Sequence, residues 1–538
     1  MNTQKLIVKK MIKEKLENQT DLSSLKRWFA KKYKISLPKN SALLSAYHKL
    51  LKQGKIKENK DLETLLRTRK VRSLSGIVSV SVLTKPWFCP GKCLYCPTQK
   101  NLPKSYLDGE PAVMRALAND FDPYRQVKAR LKSLKATGHN ISKIELIVIG
   151  GTWSAIPVSY QNWFIKEVFR ACNQYGKRAR FSEENSSQRV NQSLKTAQRL
   201  NEKAKCRIIG ITIETRPDHI NKTEIKRLRN LGVTRVELGV QSLDDSVLKK
   251  NSRGHDVNQT ILATKLLKNA GFKICYHMMP NLPGSNLKKD EKMFIELFNN
   301  PDFQPDFLKI YPCVVVKEAP LYKLWLKGKY RPYSDHQLID LLVKAKQQVP
   351  IWCRIIRIYR DIPSPKIIAG SKISNLRQVI TKELAKQGKK CLCIRCREVR
   401  SDFSPRQKLK LFRQDYAASE GKEIFLTFED QKRQKLFALL RLRLIKTEET
   451  GSPPLFPILE GTAIIREVHT YGQAIGFNEK TAASPQHRSL GRNLIKEAEK
   501  IALKNNFKKM AVIAGVGTRN YYRMLGYRLK DTYMVKNL

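Results

Sequence analysis

From about residue 76 to residue 385 the chain alternates short apolar runs of strand length with longer stretches of helical period. Residues 144–149 stop at Gly150, Gly151 and Thr152, residues 207–213 at Glu214, Thr215 and Arg216, and residues 234–240 at Gln241 and Ser242. Runs rich in Ile and Val with such punctuation predict buried strands. Strands separated by helices predict a parallel sheet covered by helices, an open or closed α/β barrel. In a barrel the chemistry sits where strands end. Gly150, Gly151, Glu214, Arg216 and Gln241 are therefore site candidates, and each also reads as a turn residue or a member of a structural ion pair.

Ahead of this region Leu22, Leu25, Trp28 and Phe29, then Leu43, Leu44, Tyr47, Leu50 and Leu51, recur at spacings of three and four. They predict small amphipathic helices whose outer faces carry Lys26, Arg27, Lys31, Lys32, Lys49 and Lys52. Beyond residue 400 the pattern changes again, with strands over 423–429 and 463–470 and a helix opening at 486–492 that runs through Ile495, Ala498 and Ile501. The expected organisation is a basic helical segment at 1–75, a barrel at 76–385, a linker at 386–400 and a second α/β domain at 401–538.

Charge narrows the partners. The chain holds 103 Lys and Arg against 47 Asp and Glu, a net +56, and residues 1–72 alone carry 20 basic and 6 acidic side chains. A solvated Lys-rich surface would also look like this, but clustered cations are rewarded by phosphate neutralisation and counterion release, so a nucleic acid is the expected partner. No apolar run reaches membrane-spanning length, and the first residues lack the apolar core of a secretory signal. Eleven cysteines, six of them in two tight clusters, read as metal ligation in a reducing compartment. A cytoplasmic protein is expected.

The first cluster, Cys89, Cys93 and Cys96 with Tyr95 before the last, is a C-x3-C-x2-C loop that supplies three thiolates. A [4Fe-4S] cube needs four ligands, so three leave one iron open. A zinc knuckle is the weaker reading, because zinc frameworks usually present paired C-x2-C elements. The loop resembles that of the radical S-adenosylmethionine (SAM) enzymes. The resemblance implies that SAM occupies the open iron and is cleaved to a 5′-deoxyadenosyl radical, with Gly150 and Gly151 close to its amino-acid portion and Glu214, Arg216 and Gln241 on its polar groups. The second cluster, Cys391, Cys393 and Cys396, suits a tetrahedral zinc site whose fourth ligand comes from elsewhere, with Cys353 or a histidine as candidates. A thiol cluster without metal remains the alternative.

The segment Gln486-His487-Arg488-Ser489-Leu490-Gly491-Arg492 resembles the pyrophosphate loop of GNAT acetyltransferases, in which backbone N–H groups and a helix N-terminus meet acetyl-CoA. Ser489 stands where that loop has its first glycine. Tyr521 and Tyr522 in the closing segment 515–527 strengthen the likeness, since GNAT domains commonly place a tyrosine near the departing thiolate. An aromatic pair otherwise serves core packing.

A radical SAM barrel joined to a GNAT domain resembles the catalytic subunit of Elongator, a tRNA wobble-uridine modifying family. The likeness runs from about Val82 to Leu538 and is most specific at 109–116, Glu214-Thr215-Arg216-Pro217-Asp218, 236–242, 277–284, 359–365 and 374–377. The short spacing of the first two cysteines is of the bacterial or archaeal type. The resemblance implies that Lys143, Glu467, Val468, His469, Thr470, Leu490, Gly491, Arg492 and Tyr522 contact acetyl-CoA, Lys143 and Tyr522 acting in catalysis. It further implies that Cys89, Cys93 and Cys96 hold the cluster. The implied reaction takes a hydrogen from the acetyl methyl, adds the carbon radical to C5 of the wobble uridine and hydrolyses the thioester to leave a carboxymethyl group. An anticodon base must be splayed out for this. The expected partners are tRNA, SAM, acetyl-CoA and an electron donor whose identity the sequence does not give, with a homodimer as one open oligomeric state. A protein lysine acetyltransferase with a separate radical activity, and a tRNA-binding scaffold with decayed catalysis, are the other readings.

Overall fold

The computed structural model describes residues 3–68, 73–176, 193–400, 404, 407–445, 453–476, 485–486 and 489–538. Its first sheet is built from β1 (Val78–Leu83), β2 (Lys143–Ile149), β3 (Arg207–Thr215), β4 (Arg235–Gln241), β5 (Lys273–Met278), β6 (Phe307–Ile310) and β8 (Arg354–Arg357). They lie in the order β1-β2-β3-β4-β5-β6-β8 with each neighbouring pair parallel, an open barrel. A short antiparallel pair, β7 (Val315–Val316) and β9 (Ile367–Ala369), lies outside it. Two strands are longer than their apolar runs, Lys143 beginning β2 and Glu214 and Thr215 lying inside β3, while β4 is shifted by one residue so that Gln241 closes it.

Outer helices close each crossover, and their ends are set locally. The helix Val257–Asn269 starts in a capping box between Asp256 and Gln259, which satisfies two otherwise orphaned N–H groups. Apolar faces of these helices and the β-branched strand residues form one core that includes Val80, Leu146, Phe164, Ile211, Leu228, Val236, Leu267 and Leu308.

The second sheet runs β10-β11-β12-β13-β14-β16-β15, from β10 (Lys410–Ala418), β11 (Gly421–Glu429), β12 (Leu436–Leu444), β13 (Thr462–Thr470), β14 (Lys509–Val512), β15 (Arg528–Lys530) and β16 (Tyr533–Asn537). The helix Leu490–Lys504 covers one face through Leu494, Ile495, Ala498 and Ile501. The other face joins the barrel core through Ile464, Ala511, Ile513 and Val535. Docking is close. A Cβ on Gly515 would stand 2.0 Å from the carbonyl oxygen of Ile209, so the loop after β14 lies directly on β3 and only glycine fits there.

Buried charge fixes the same joint. Asp306, ahead of β6, accepts from the Ile274 amide at 2.9 Å and from Arg466 Nη1 at 3.0 Å. Arg441 Nη1 lies 3.5 Å from it and Lys268 Nζ 4.0 Å. Removing one member would strand the others in a dry interior at roughly 3–5 kcal/mol.

The basic N-terminal region is four helices, Thr3–Lys13, Gln19–Lys32, Asn40–Lys52 and Lys60–Leu66, around a core of Ile7, Val8, Leu22, Phe29, Leu43, Leu44 and Tyr47. Trp28 does not join that core as its spacing predicts. It is 46% exposed, with Lys32 Nζ 4.7 Å from its ring centroid.

Candidate functional site

Two cavities lie at opposite ends of the barrel. The first, of about 110 Å³, sits at the C-terminal ends of the strands and is walled by Cys89, Cys93, Cys96, Gly151, Glu214, Arg216 and Gln241. Every sequence-predicted residue of the cluster and SAM set except Gly150 lines it. The three cysteines converge because the loop folds around Gly91, whose added Cβ would lie 3.5 Å from Cys93 Sγ and 3.6 Å from Cys89 Sγ. Arg253 donates to Cys93 Sγ at 3.3 Å, and Cys89 Sγ lies 3.6 Å from Thr152 Oγ1. Burial, helped by the neighbouring Cys93, pushes the Cys96 thiol up to about 11. Three soft donors on one small cavity, one beside a guanidinium and one destabilised as a bare thiolate by burial, fit an iron-sulfur cluster.

Gly150 acts one layer behind. Its φ is 133°, and a Cβ there would lie 2.1 Å from Thr84 Oγ1. It lets the β2 end press against β1 and turn Gly151 into the cavity. Glu214 accepts from Tyr106 Oη and Lys309 Nζ, each at 3.1 Å. Arg216 holds Asp218 through two hydrogen bonds of 2.9 and 2.7 Å. Gln241 takes a left-handed φ of 72°, and its Oε1 is buried. Arg253, Tyr106, Lys309 and Glu237 escaped the sequence reading, since no local spacing marks them.

The second cavity, of about 500 Å³, opens at the N-terminal ends of the strands, where the second domain docks. β13 and β14 pair in parallel only from Thr462 to Ile465, and β13 then runs on to Thr470 paired with β12 but not with β14. The gap exposes Glu467, Val468 and His469 to the cavity, with Tyr522 opposite. Gly491 lies beside Val468 and Thr470, its Cβ position 3.6 Å from Val468 Cγ1 and 3.2 Å from Tyr521 Oη. The helix Leu490–Lys504 thus starts at this edge with no side-chain cap on its first N–H groups. Ser489 adopts φ 60°, the left-handed conformation for which glycine is suited. His487 and Arg488 lie outside the described residues. Arg492 is exposed.

Lys143 reaches this region from the barrel, donating to Gln486 Oε1 at 3.0 Å. Gln486 in turn donates to the carbonyls of Gly76 and Thr470, each at 3.1 Å. His469 Nε2 meets the Ser75 carbonyl at 2.7 Å. Burial pushes the Tyr522 phenol up, helped by Tyr521 and Glu467, so it keeps its proton at neutral pH.

A chain of polar contacts fills the lumen between the cavities. Glu145 pairs with Arg235 at 2.6 Å, Arg235 lies 3.5 Å from Glu237, and Glu237 takes His277 at 2.9 Å and contacts Lys309. Lys309 then reaches Glu214. Burial disfavours the Lys309 charge, but Glu237, Tyr311 and Glu214 together outweigh it and hold the ammonium charged. Glu237, Cys275 and His277 also lie within 4.8 Å of one another, but the Lys309 ammonium already supplies the cation there.

The other cysteine group, Cys391, Cys393 and Cys396, has its three sulfurs within 4.8 Å of one another, and the same group contains no fourth His, Cys, Asp or Glu among the described residues. Cys353 stays outside it, although its carbonyl accepts the Ile394 amide at 3.0 Å. Contacts from the Cys391 and Cys396 thiols hold Cys393 well below the usual thiol range.

The comparisons agree with this architecture. The Radical SAM superfamily matches residues 88–295 and the Radical SAM C-terminal domain residues 305–386. The chain is 42% identical to a tRNA uridine(34) acetyltransferase of Methanocaldococcus infernus, over 99% of this chain and 98% of that one. It is 38% identical to Elongator complex protein 3 of Dictyostelium discoideum, over 97% and 92%. The solved structure of the archaeal Methanocaldococcus infernus Elp3 with an N-terminal deletion superposes with a TM-score of 0.72 at 40% identity, covering 87% of this chain and all of that one. With such identity along nearly its whole length, the chain belongs to the family of the tRNA uridine(34) acetyltransferases and Elongator complex protein 3.

Proposed function

We infer that this protein is a radical SAM enzyme that modifies the wobble uridine of tRNA, using acetyl-CoA as the source of a carboxymethyl group at C5. The observation that carries the reading is the placing of two cavities at opposite ends of one lumen. Three cysteines wall one, and an acetyltransferase-type strand gap and helix start wall the other.

Cys89, Cys93 and Cys96 would hold the cluster, with Arg253 offsetting their charge. When bound, the cluster and SAM supply the radical that opens the methyl C–H bond. Gly151, Glu214, Arg216 and Gln241 border the space for SAM. The first turn of Leu490–Lys504 offers backbone N–H groups to a pyrophosphate, and Glu467–Thr470 border the pantetheine. Tyr522 Oη, protonated and buried, would stabilise a departing thiolate by donating a hydrogen bond to it. Lys143 holds Gln486 against the barrel. Arg235, Glu237 and Lys309 stand between the cavities, so any passage along the lumen must displace them. The net +56 supports tRNA as the macromolecular substrate. An electron donor is required for SAM cleavage. Cys391, Cys393 and Cys396 are suited to a structural zinc at the junction of the two sheets, in support of which their sulfurs are close enough to share an ion.

Mass spectrometry of nucleosides from tRNA incubated with reconstituted protein, SAM, dithionite and acetyl-CoA should reveal carboxymethyluridine at the wobble position. Tyr522→Phe should lose that product while still forming 5′-deoxyadenosine. Absence of a modified uridine with wild-type protein, together with acetyl transfer to protein lysines, would overturn the reading.

A further inference from the structure

Beside the cluster cavity stands an aromatic side chain that the fold does not use. Phe88 precedes Cys89 and is 84% exposed, the most exposed large apolar side chain among the described residues. Its loop is nevertheless anchored. The Lys85 amide donates to Tyr160 Oη at 3.0 Å, and the Trp87 ring lies edge-on to Tyr160 with centroids 5.2 Å apart. Trp87 itself is 38% exposed. Residues 84–107 contain Lys85, Lys92, Lys100 and Lys104 and no acidic residue, and Lys85 and Lys92 are exposed. A phenyl ring next in sequence to a cavity-lining cysteine therefore faces solvent, on an anchored segment whose charged residues are all lysines.

We propose that Phe88, with Trp87 beside it, stacks on the unpaired anticodon base next to the uridine being modified. The inference rests on the tRNA reading above. A uridine that enters the cavity must leave its stack, and its neighbour thereby loses a stacking partner at the level of the rim. The aromatic ring replaces that partner while the exposed Lys85 and Lys92 of the same segment neutralise adjoining phosphates, the combination by which single strands are held. Phe88 so acts as a positioning residue: it fixes the register of the loop and touches no reacting atom.

The test uses full-length protein with its cluster and a tRNA carrying 2-aminopurine immediately 3′ of the wobble uridine. Wild-type protein should quench this fluorophore on binding. Phe88→Ala should remove most of the quench and weaken tRNA binding by roughly tenfold, equivalent to about 1.4 kcal/mol and within the range of one lost base stack. Phe88→Tyr should restore both. Phe88→Leu, which keeps apolar bulk without a π face, should behave like Phe88→Ala, and iron content and circular dichroism verify that each variant is folded. Wild-type quenching and affinity in Phe88→Ala would overturn the proposal. So would a defect confined to assays driven by a protein electron donor and absent with dithionite, which would assign the ring to donor docking. Failure of the wild-type protein to bind the tRNA would instead count against the function itself.

Discussion

Replacing Glu467 by glutamine removes one charge from the buried joint of the two domains, and the size of the effect follows from the pairs around it. The carboxylate accepts from Arg441 Nε at 2.9 Å and lies 3.9 Å from Lys273 Nζ, with its side chain 9% exposed. Burial works to raise its pKa, but Lys273 and Arg441 outweigh burial and bring it from 4.5 down to about 2. Arg441 is displaced upward, burial there being outweighed by Asp306 and Glu467, so the two partners agree in direction. A carboxyl moved that far stabilises the folded state by roughly 3 kcal/mol at neutral pH. Because the folded value is the lower one, the stabilisation is complete above about pH 4.5 and is lost as the pH falls through about 2. The variant keeps the shape of the side chain, and Arg441 retains the Trp352 carbonyl at 2.7 Å. Amides of β12 and β13 should then exchange with solvent about 100-fold faster at pH 7, since exchange follows the free energy of local opening. Hydrogen-exchange mass spectrometry, corrected for intrinsic rates, reads this directly, and the gap between variant and wild type should narrow only below about pH 4.5. A change under fivefold at pH 7, or a gap that stays constant down to pH 3, would refute the argument.

Ser489→Gly relieves a left-handed backbone at φ 60° and should raise stability by about 1 kcal/mol without loss of acetyl-CoA affinity; a lower urea midpoint would contradict this. Gly150→Ala places a Cβ 2.1 Å from Thr84 Oγ1 at φ 133°, and should abolish 5′-deoxyadenosine formation while sparing acetyl-CoA binding at the far end of the lumen. Wild-type SAM cleavage in that variant would show that the β1 and β2 ends do not shape the cavity.

What the sequence alone determined is whatever is encoded within a few residues. The strands of the barrel follow from Ile- and Val-rich runs because burial on a pleated surface selects those side chains, and the polar residues that end them follow from the same boundaries. Cys89, Cys93 and Cys96 are legible because metal ligands held by one loop must be close in the chain. The helix at Leu490 is legible from its apolar period, and the family likeness adds the acetyl-CoA set. Tertiary structure decided the rest, because the partners are remote. Glu145 meets Arg235 and Lys309 meets Glu214 across about a hundred residues, and on their own strands these charges look like outward-facing positions. A barrel has a second inside, where polar groups are tolerated if each is matched across strands that are not neighbours in sequence. Lys143 finds Gln486 across 343 residues for the same reason. The helical spacing that predicts Trp28 in the core also misses its exposure, since period gives the face of a helix but not where the neighbouring helix stops. The left-handed backbones of Gln241 and Ser489 are likewise imposed by surroundings, as neither residue type requires them. The opposition of two cavities through one lumen, on which the proposed chemistry rests, arises only when Gly515 lets the second domain lie flat on β3.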